Sequence, residues 1–315
     1  MAVKPYRSLA ALVPWRQIPF PVDWAGLFGR GAPLEMEVGC GNGEWLIRRA
    51  REHPELNLLG VDHSWPSVRR ALRKVDLARV PNLLLVQAGG LLALWRLFGP
   101  GELERIWVHF PRPWPKEGQE SRRLLQARFL RLAASRLRMG GRLRLVTDWR
   151  PYLDWALTQV PEGVLAASWR VRGPGLDTKY ERKWLARGQQ EFYQLDLEKV
   201  GEAAWPPWRE YELRQYELPD FAPRRFPLGE HLEGGILVSF KVMFYDRELG
   251  RALLRCVAVE EELKQGFYLE FLRRERDWLL RVGPGCGVLP TRGVMHSLEL
   301  ARRLALECAA GEQGG

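Results

Sequence analysis

The stretch LEMEVGCGNG, residues 34–43, sets the fold prediction, because an apolar segment runs directly into a turn rich in glycine. Leu34–Cys40 has the short, apolar composition of a buried strand, and Glu44–Arg51 follows it with helical spacing. A strand that turns through glycines into a helix is the usual opening of a βαβ unit. We therefore predict an α/β fold that begins near residue 34.

Apolar and amphipathic segments continue to alternate up to about residue 173 and beyond it. Candidate strands follow at Leu56–Val61, Asn82–Ala88, Arg105–Phe110, Arg142–Thr147, Leu165–Arg172 and Glu191–Leu197. Candidate helices lie at Ser64–Ala78, Leu91–Phe98, Glu120–Met139 and Tyr152–Val160, and Gly140 and Gly141 are expected to cap the third of them. Strands separated by helices predict a mostly parallel, doubly wound sheet.

The composition changes after residue 200, where a loop rich in Trp, Pro and Tyr precedes a different set of apolar runs. These runs lie at Gly235–Tyr245, Ala252–Val259 and Phe267–Leu272, and a helix is expected at Val294–Ala309. We therefore predict two domains: an α/β domain over residues 1–198 and a smaller α+β extension over residues 199–315.

The net positive charge of the chain comes from its first part. The 315 residues carry a formal net charge of +10, and residues 1–198 hold 31 basic and 20 acidic side chains against 17 and 18 in the remainder. This excess favours a polyanion such as nucleic acid as the partner of the N-terminal domain.

Membrane and metal-binding classes are not indicated by the sequence. No apolar stretch approaches the roughly 18–20 residues of a membrane helix, and no secretory signal pattern precedes the first prolines. The four cysteines lie far apart without a CxxC pair, so neither a disulfide framework nor a metal site is predicted. We expect a soluble, cytoplasmic protein that binds no metal.

The glycine turn, residues 39–43, carries the first chemical signal. Gly39, Gly41 and Gly43 let the backbone approach a ligand closely and adopt positive φ. Asp62, at the end of the next strand, can accept both hydroxyls of a ribose. The spacing is GxGxG rather than the GxGxxG of dinucleotide binders, and Glu37 disfavours a pyrophosphate. A ligand with a sulfonium and an amino group satisfies both conditions, which predicts S-adenosyl-L-methionine.

A stiff loop, HFPRPWPK at residues 109–116, follows the fourth strand. Ligands of open α/β sheets bind at the carboxyl ends of the strands, so this loop is placed to contact a substrate. Trp114 is held between prolines and can stack on a nucleobase. Lys116, Arg122 and Arg123 suit contacts with phosphate.

Two further motifs fall at the same predicted edge of the sheet. Thr147-Asp148-Trp149 ends the fifth strand, and TKYERK, residues 178–183, lies between the last two strands. Each motif alone is typical of an ordinary turn, and their common placement is what indicates a site.

Together these segments resemble the bacterial tRNA (guanine-N7)-methyltransferases. The resemblance covers roughly residues 30–198 and rests on LEMEVGCGNG, GVDHSWPSV, HFPRPWPKEGQESRRLLQARFL, GGRLRLVTDW and TKYERK. It implies a Rossmann-like class I methyltransferase that moves a methyl group from S-adenosyl-L-methionine to N7 of guanosine 46 in the tRNA variable loop. The extension after residue 198 is similar to that of thermophile members.

The resemblance also implies roles for individual residues. Cofactor contacts are implied for Glu37, Asp62, Ala88 and Gly89. Contacts with the tRNA guanosine are implied for Lys116, Asp148, Thr178, Lys179, Tyr180 and Glu181.

Two residues depart from the family pattern. Arg112 stands where the family usually has the Asp commonly taken as catalytic, and Gly89 stands where an acidic residue usually contacts the adenine side of the cofactor. Guanine N7 has a lone pair and no proton, so its attack on a methyl group needs no general base. We therefore expect Asp148 to bind the guanine N1–H and N2–H₂ donors. Arg112 is expected on phosphate or O6, because contact with N7 would block the attacking lone pair.

Two other functions remain open from the residues alone. Arg112 and Gly89 are also consistent with an inactive RNA-binding module that keeps a methyltransferase fold. The glycine turn by itself is consistent with an NAD-dependent oxidoreductase, although GxGxxG is absent. Both a monomer and a homodimer are compatible with the sequence.

Overall fold

The computed structural model describes residues 8–260 and 263–310. The chain divides between Pro207 and Trp208 into two compact units, and each has its own sheet. The domain boundary placed after residue 198 stays a prediction.

The N-terminal unit is built on a seven-stranded sheet. Its strands are β1 (Leu34–Val38), β2 (Asn57–Asp62), β3 (Leu83–Gln87), β4 (Leu103–His109), β5 (Leu137–Thr147), β6 (Leu165–Arg172) and β7 (Phe192–Lys199). Its helices are α1 (Trp24–Phe28), α2 (Glu44–Glu52), α3 (Trp65–Ala78), α4 (Gly90–Leu97), α5 (Ala127–Arg136), α6 (Arg150–Thr158) and α7 (Lys179–Leu185). The strand order is β3-β2-β1-β4-β5-β7-β6, where β7 runs antiparallel to both β5 and β6 and the other pairs are parallel. The predicted mostly parallel α/β sheet is confirmed.

Strand β1 is buried along its whole length, because it lies between β2 and β4 at the centre of the sheet. Its acidic Glu35 is buried too, and its carboxylate accepts hydrogen bonds from Arg49 Nη2 at 2.7 Å and Trp107 Nε1 at 2.8 Å. A buried carboxylate is tolerated when its charge is paired and its oxygens are hydrogen-bonded. This pairing explains how an acidic residue occurs within a central strand.

The predicted helix Glu120–Met139 is wrong in extent. A single 3₁₀ turn covers Glu120–Arg122, helix α5 occupies only Ala127–Arg136, and the chain then passes directly into β5. Gly140 and Gly141 do not cap a helix, because they interrupt the pairing of β5 with β4 at a register shift. Gly140 has φ of 73°, which a residue with a side chain rarely adopts, so the glycines mark a bulge.

The carboxyl ends of the central strands lie at one edge of the sheet. Val38 of β1 is paired with Val61 of β2 and with Val108 of β4, and His109 is paired with Val146 of β5. The residues that follow these pairs therefore share the edge where open α/β sheets bind ligands.

The C-terminal unit is a six-stranded antiparallel sheet with a long helix. Its elements are β8 (Tyr216–Leu218), β9 (Gly229–Glu233), β10 (Ile236–Asp246), β11 (Arg251–Glu260), β12 (Leu263–Arg273), β13 (Trp278–Val282) and α8 (Arg292–Ala310). The strand order is β8-β13-β12-β11-β10-β9, and Phe240, Phe267 and Phe271 form a core with Leu298 and Ala301 of α8. The predicted α+β extension is confirmed. Over residues 8–260 and 263–310, no helix has the length and apolar character needed to cross a bilayer.

Candidate active site

The glycine turn has the open backbone that a bound ligand requires. Gly39, Gly41 and Gly43 have φ of 78°, 58° and 74°, values that favour glycine over other residues. A Cβ added at Gly39 or Gly41 would have no heavy atom within 4 Å, whereas one at Gly43 would lie 3.1 Å from the Cβ of Ala71 in α3. The first two glycines therefore leave backbone accessible to a ligand, and Gly43 permits close packing of α2 on α3.

Asp62 orders this turn from the end of β2. Its Oδ2 accepts a hydrogen bond from the backbone N–H of Gly41 at 3.0 Å, and its Oδ1 accepts one from Ser64 at 2.8 Å. The backbone N–H of Ala88 donates to the carbonyl of Asp62 at 3.1 Å, which brings the segment after β3 beside it. Because a carboxylate offers about four acceptor positions, Asp62 can still accept from two ligand hydroxyls.

Glu37 and Asp62 form one acidic region. Cys40 between them is buried, and burial together with the charges of both carboxylates raises the pKa of its thiol well above the usual value. Glu37 Oε1 lies 2.7 Å from His109 Nδ1, while Glu37 Oε2 is buried without a hydrogen-bond partner among the described residues. An unpaired buried carboxylate oxygen is costly, so it fits a cationic ligand group such as an amine. The region fits S-adenosyl-L-methionine by this criterion, and residues 8–260 and 263–310 contain no cluster that could hold a metal ion.

The backbone of the FPRPWPK loop, residues 110–116, is held by hydrogen bonds from a buried arginine, Arg123. Phe110 and Trp114 take positive φ of 49° and 46°, and the exposed Arg112 and Arg122 each lie 5.0 Å from the Trp114 ring centroid. Arg123, next in sequence, is buried and donates to the carbonyls of Pro113 at 3.0 Å and Trp114 at 3.2 Å. Arg123 was expected to contact phosphate, but its guanidinium already supports the loop.

We expect Arg123→Ala to lower the stability of the protein, because it removes the support of the loop. Two hydrogen bonds are lost, together with contacts to the Trp149 and Trp155 rings at 5.5 and 5.0 Å. The free energy of unfolding should fall by about 2–4 kcal/mol, measured by chemical denaturation. Arg122→Ala is the matched control, and because Arg122 is exposed its removal should leave the free energy of unfolding nearly unchanged. Equal stability of the two variants would contradict this assignment.

Asp148 lies half-buried directly after β5. Burial raises the pKa of its carboxyl, and the positive charge of Lys183 partly opposes that shift. Gln189 Nε2 donates to the Asp148 backbone carbonyl at 2.7 Å and to that of Glu191 at 3.0 Å, which fixes the segment after β5. Asp148 is therefore held at the predicted edge of the sheet, and its contact with a substrate stays a prediction.

The TKYE segment begins helix α7, and two of its four residues serve that helix start. Thr178 Oγ1 accepts from the backbone N–H of Glu181 at 3.1 Å. The buried Glu181 carboxylate accepts from the backbone N–H groups of Gly175 at 3.0 Å and Asp177 at 2.5 Å. The pattern Thr-x-x-Glu is the sequence signature of a capping box, a signal that the substrate-contact expectation overlooked.

The remaining predicted contact residues are accessible at the surface. Lys179 and the side chain of Tyr180 are exposed on α7, and Lys116 is exposed on its loop. Gly89 is exposed before α4 with open space around it, and the neighbouring Ala88 is buried.

Sequence reasoning missed three residues that shape the site. His109 was quoted only as the first residue of the loop at 109–116, and its partner Glu37 lies on a strand that is its neighbour only in the folded sheet. Gln189 carried no sequence signal. Trp15 Nε1 donates to the Gln87 carbonyl at 2.9 Å, and residues 11–13 pair with β3 through Leu85, so the N-terminal segment borders the turn after that strand.

Comparisons with known proteins place this arrangement among methyltransferases. A family model described as a putative methyltransferase matches residues 31–194. The tRNA (guanine-N(7)-)-methyltransferase of Thermus thermophilus is 35% identical over 272 residues, which cover 84% of this chain and 86% of that protein. Proteins of the same name from Thermotoga maritima and Aquifex aeolicus are 28% and 27% identical, over 92% and 86% of this chain and 94% and 93% of theirs.

Proposed function

Because this chain belongs to the tRNA (guanine-N(7)-)-methyltransferase family, we propose that it transfers a methyl group from S-adenosyl-L-methionine to N7 of guanosine 46 in the variable loop of tRNA. The observation that carries the proposal is a single contact. Glu37 Oε1 of the cofactor region lies 2.7 Å from Nδ1 of His109, the residue directly before the FPRPWPK loop. The two regions that must share a methyl group are therefore adjacent.

The chain's own residues would hold the cofactor by complementary charge and hydrogen bonds. Asp62 would accept the two ribose hydroxyls, Glu37 would pair with the amino group, and the backbone at Gly39 and Gly41 would lie against the ligand. When bound, the cofactor supplies an electrophilic methyl group on a sulfonium. Ala88 and Gly89 border the same region after β3.

Catalysis by this chain would be mainly positioning. Asp148 would accept from guanine N1–H and N2–H₂, which leaves the N7 lone pair free to face the methyl group. Correct orientation of two reactants lowers a barrier by up to about 7–11 kcal/mol, while general-base assistance adds about 10²–10⁴-fold. Arg112 in place of the family's usual Asp is therefore compatible with methyl transfer.

The basic N-terminal part and the exposed basic residues of the loop support tRNA as the partner. Lys116, Arg112 and Arg122 are exposed around Trp114, and Lys179 and Tyr180 are exposed on α7. Phosphate contacts of this type give affinity that weakens steeply with salt. A tRNA-modifying enzyme of this kind would act in the cytoplasm.

The decisive experiment incubates the protein with labelled S-adenosyl-L-methionine and unmodified tRNA, followed by borohydride and aniline cleavage. Chain scission at guanosine 46 is the expected result. Cofactor binding without methyl transfer to any tRNA would favour the inactive RNA-binding module instead. Scission at another guanosine would overturn the proposed position.

We expect Arg112→Ala to weaken tRNA binding about 3–30-fold with little change in single-turnover rate at saturating tRNA, because the exposed guanidinium would contact the RNA and not the reacting atom. Filter binding and single-turnover kinetics measure the two quantities. A large loss of the single-turnover rate would assign Arg112 to catalysis. Arg128→Ala, on α5, is a control outside the loop.

A further inference from the structure

The pair formed by Glu37 and His109 has a feature that the proposed reaction does not explain. Both side chains are more than nine-tenths buried, and Glu37 Oε1 lies 2.7 Å from His109 Nδ1. Glu37 Oε2 and His109 Nε2 are also buried, and neither has a hydrogen-bond partner among the described residues. Two of the four polar side-chain atoms of the pair are therefore without a hydrogen-bond partner among the described residues.

The pairing fixes which nitrogen of His109 carries the proton. An ionised carboxylate only accepts hydrogen bonds, so Nδ1 must donate. The imidazole lies in an aromatic environment, since the Trp45 and Trp107 ring centroids lie 4.5 and 5.9 Å from its own centroid.

We propose that His109 is a positioning residue that holds the Glu37 carboxylate for the amino group of the cofactor. A free glutamate side chain has several rotatable bonds, and ordering it for a ligand costs conformational entropy. The hydrogen bond from Nδ1 occupies Oε1 and leaves Oε2 as the acceptor for the ligand. This role rests on the proposed function, since it concerns how S-adenosyl-L-methionine is held.

The FPRPWPK loop does not depend on the His109 side chain for its attachment to the sheet. His109 is the last residue of β4, and the next residue, Phe110, donates its backbone N–H to the Val146 carbonyl at 2.8 Å. The Phe110 ring also packs edge-to-face against Phe192 at 5.6 Å. Because the loop is attached through its own backbone and through Arg123, a change in the His109 side chain should alter cofactor affinity without altering tRNA affinity.

The test compares His109→Asn with His109→Leu. The two replacements have similar size and leave similar cavities, but only the Asn amide can place an N–H close to the position of Nδ1. His109→Gln is a second polar variant, whose amide reaches the Nε2 position instead. We expect S-adenosyl-L-methionine to bind about 10–100-fold more weakly to the Leu and Gln variants and within about threefold of wild type to the Asn variant, because hydrogen bonds to charged groups are the strong ones.

Calorimetric titration of the full chain with S-adenosyl-L-methionine gives the affinities, and filter binding gives the tRNA affinity, which should stay unchanged in all three variants. Equal cofactor affinity of the Asn and Leu variants would overturn the proposal, because His109 would then only fill space. A parallel loss of tRNA affinity would also overturn it, in favour of loop support. A wild-type chain that does not bind S-adenosyl-L-methionine would overturn the proposed function first, and the role of His109 with it.

Discussion

Asp148→Ala is expected to lower kcat/KM for tRNA methylation by about 10²–10³-fold, because two guanine donors lose a charged acceptor and each such hydrogen bond contributes about 1.5–3 kcal/mol. Asp148 is half-buried directly after β5, at the carboxyl edge of the sheet. Steady-state methyl transfer to unmodified tRNA measures the effect.

Asp154→Ala is the matched control for this prediction. Asp154 lies six residues further along on α6, half-exposed and paired with Arg150 at 2.8 Å. Its removal should leave methyl transfer within about twofold of wild type, since exposed ion pairs contribute little. Full activity of Asp148→Ala would show that Asp148 does not bind the guanine.

The pH dependence provides an independent check on Asp148. Burial raises the pKa of its carboxyl, so the group takes up a proton at a higher pH than an ordinary aspartate. Guanine binding needs the ionised form as acceptor, and activity should therefore fall as the pH drops through that raised pKa. In Asp148→Asn this acid limb should disappear from the profile of the residual activity.

Asp62→Ala is expected to weaken S-adenosyl-L-methionine binding by about 10²–10³-fold, because two ribose contacts and the order of the glycine turn are lost together. The carboxylate accepts hydrogen bonds from the backbone N–H groups of Gly41 and Ser64. Its removal would therefore loosen the glycine turn and also eliminate the contact with the ligand. Calorimetric titration measures the affinity.

Asp76→Ala controls for the loss of a negative charge in the same part of the chain. Asp76 is exposed on α3 and should leave cofactor affinity unchanged. If Asp62→Ala bound the cofactor within about threefold of wild type, the ribose contact would have to lie elsewhere.

The helix between the FPRPWPK loop and β5 shows where local patterns fail. Leu137, Arg138 and Met139 have side chains compatible with the end of a helix, but Leu137 is paired with Leu103 of β4. Pairing with a central strand outweighs helix propensity, which differs by less than about 1 kcal/mol per residue among ordinary side chains. A single-sequence pattern contains no information about that partner strand.

Arg122 and Arg123 show that local sequence also fails to separate the roles of neighbouring residues at the site. The two neighbours have identical chemistry and were given one role, yet Arg122 is exposed beside Trp114 and Arg123 is buried under the loop. Thr178 and Glu181 are different, since their capping pattern was present in the sequence, while their contact with substrate stays a prediction.

Local regularities were sufficient to predict the α/β sheet, the glycine turn and the Asp62 position, because they depend on residue spacing and on the positive φ that glycine accepts. The pairing of Glu37 with His109 could not be obtained in this way. The two residues are 72 positions apart and meet only because β1 and β4 are neighbours in a particular register. Burial then fixes their hydrogen bond, since a carboxylate withdrawn from water must find a donor inside the protein.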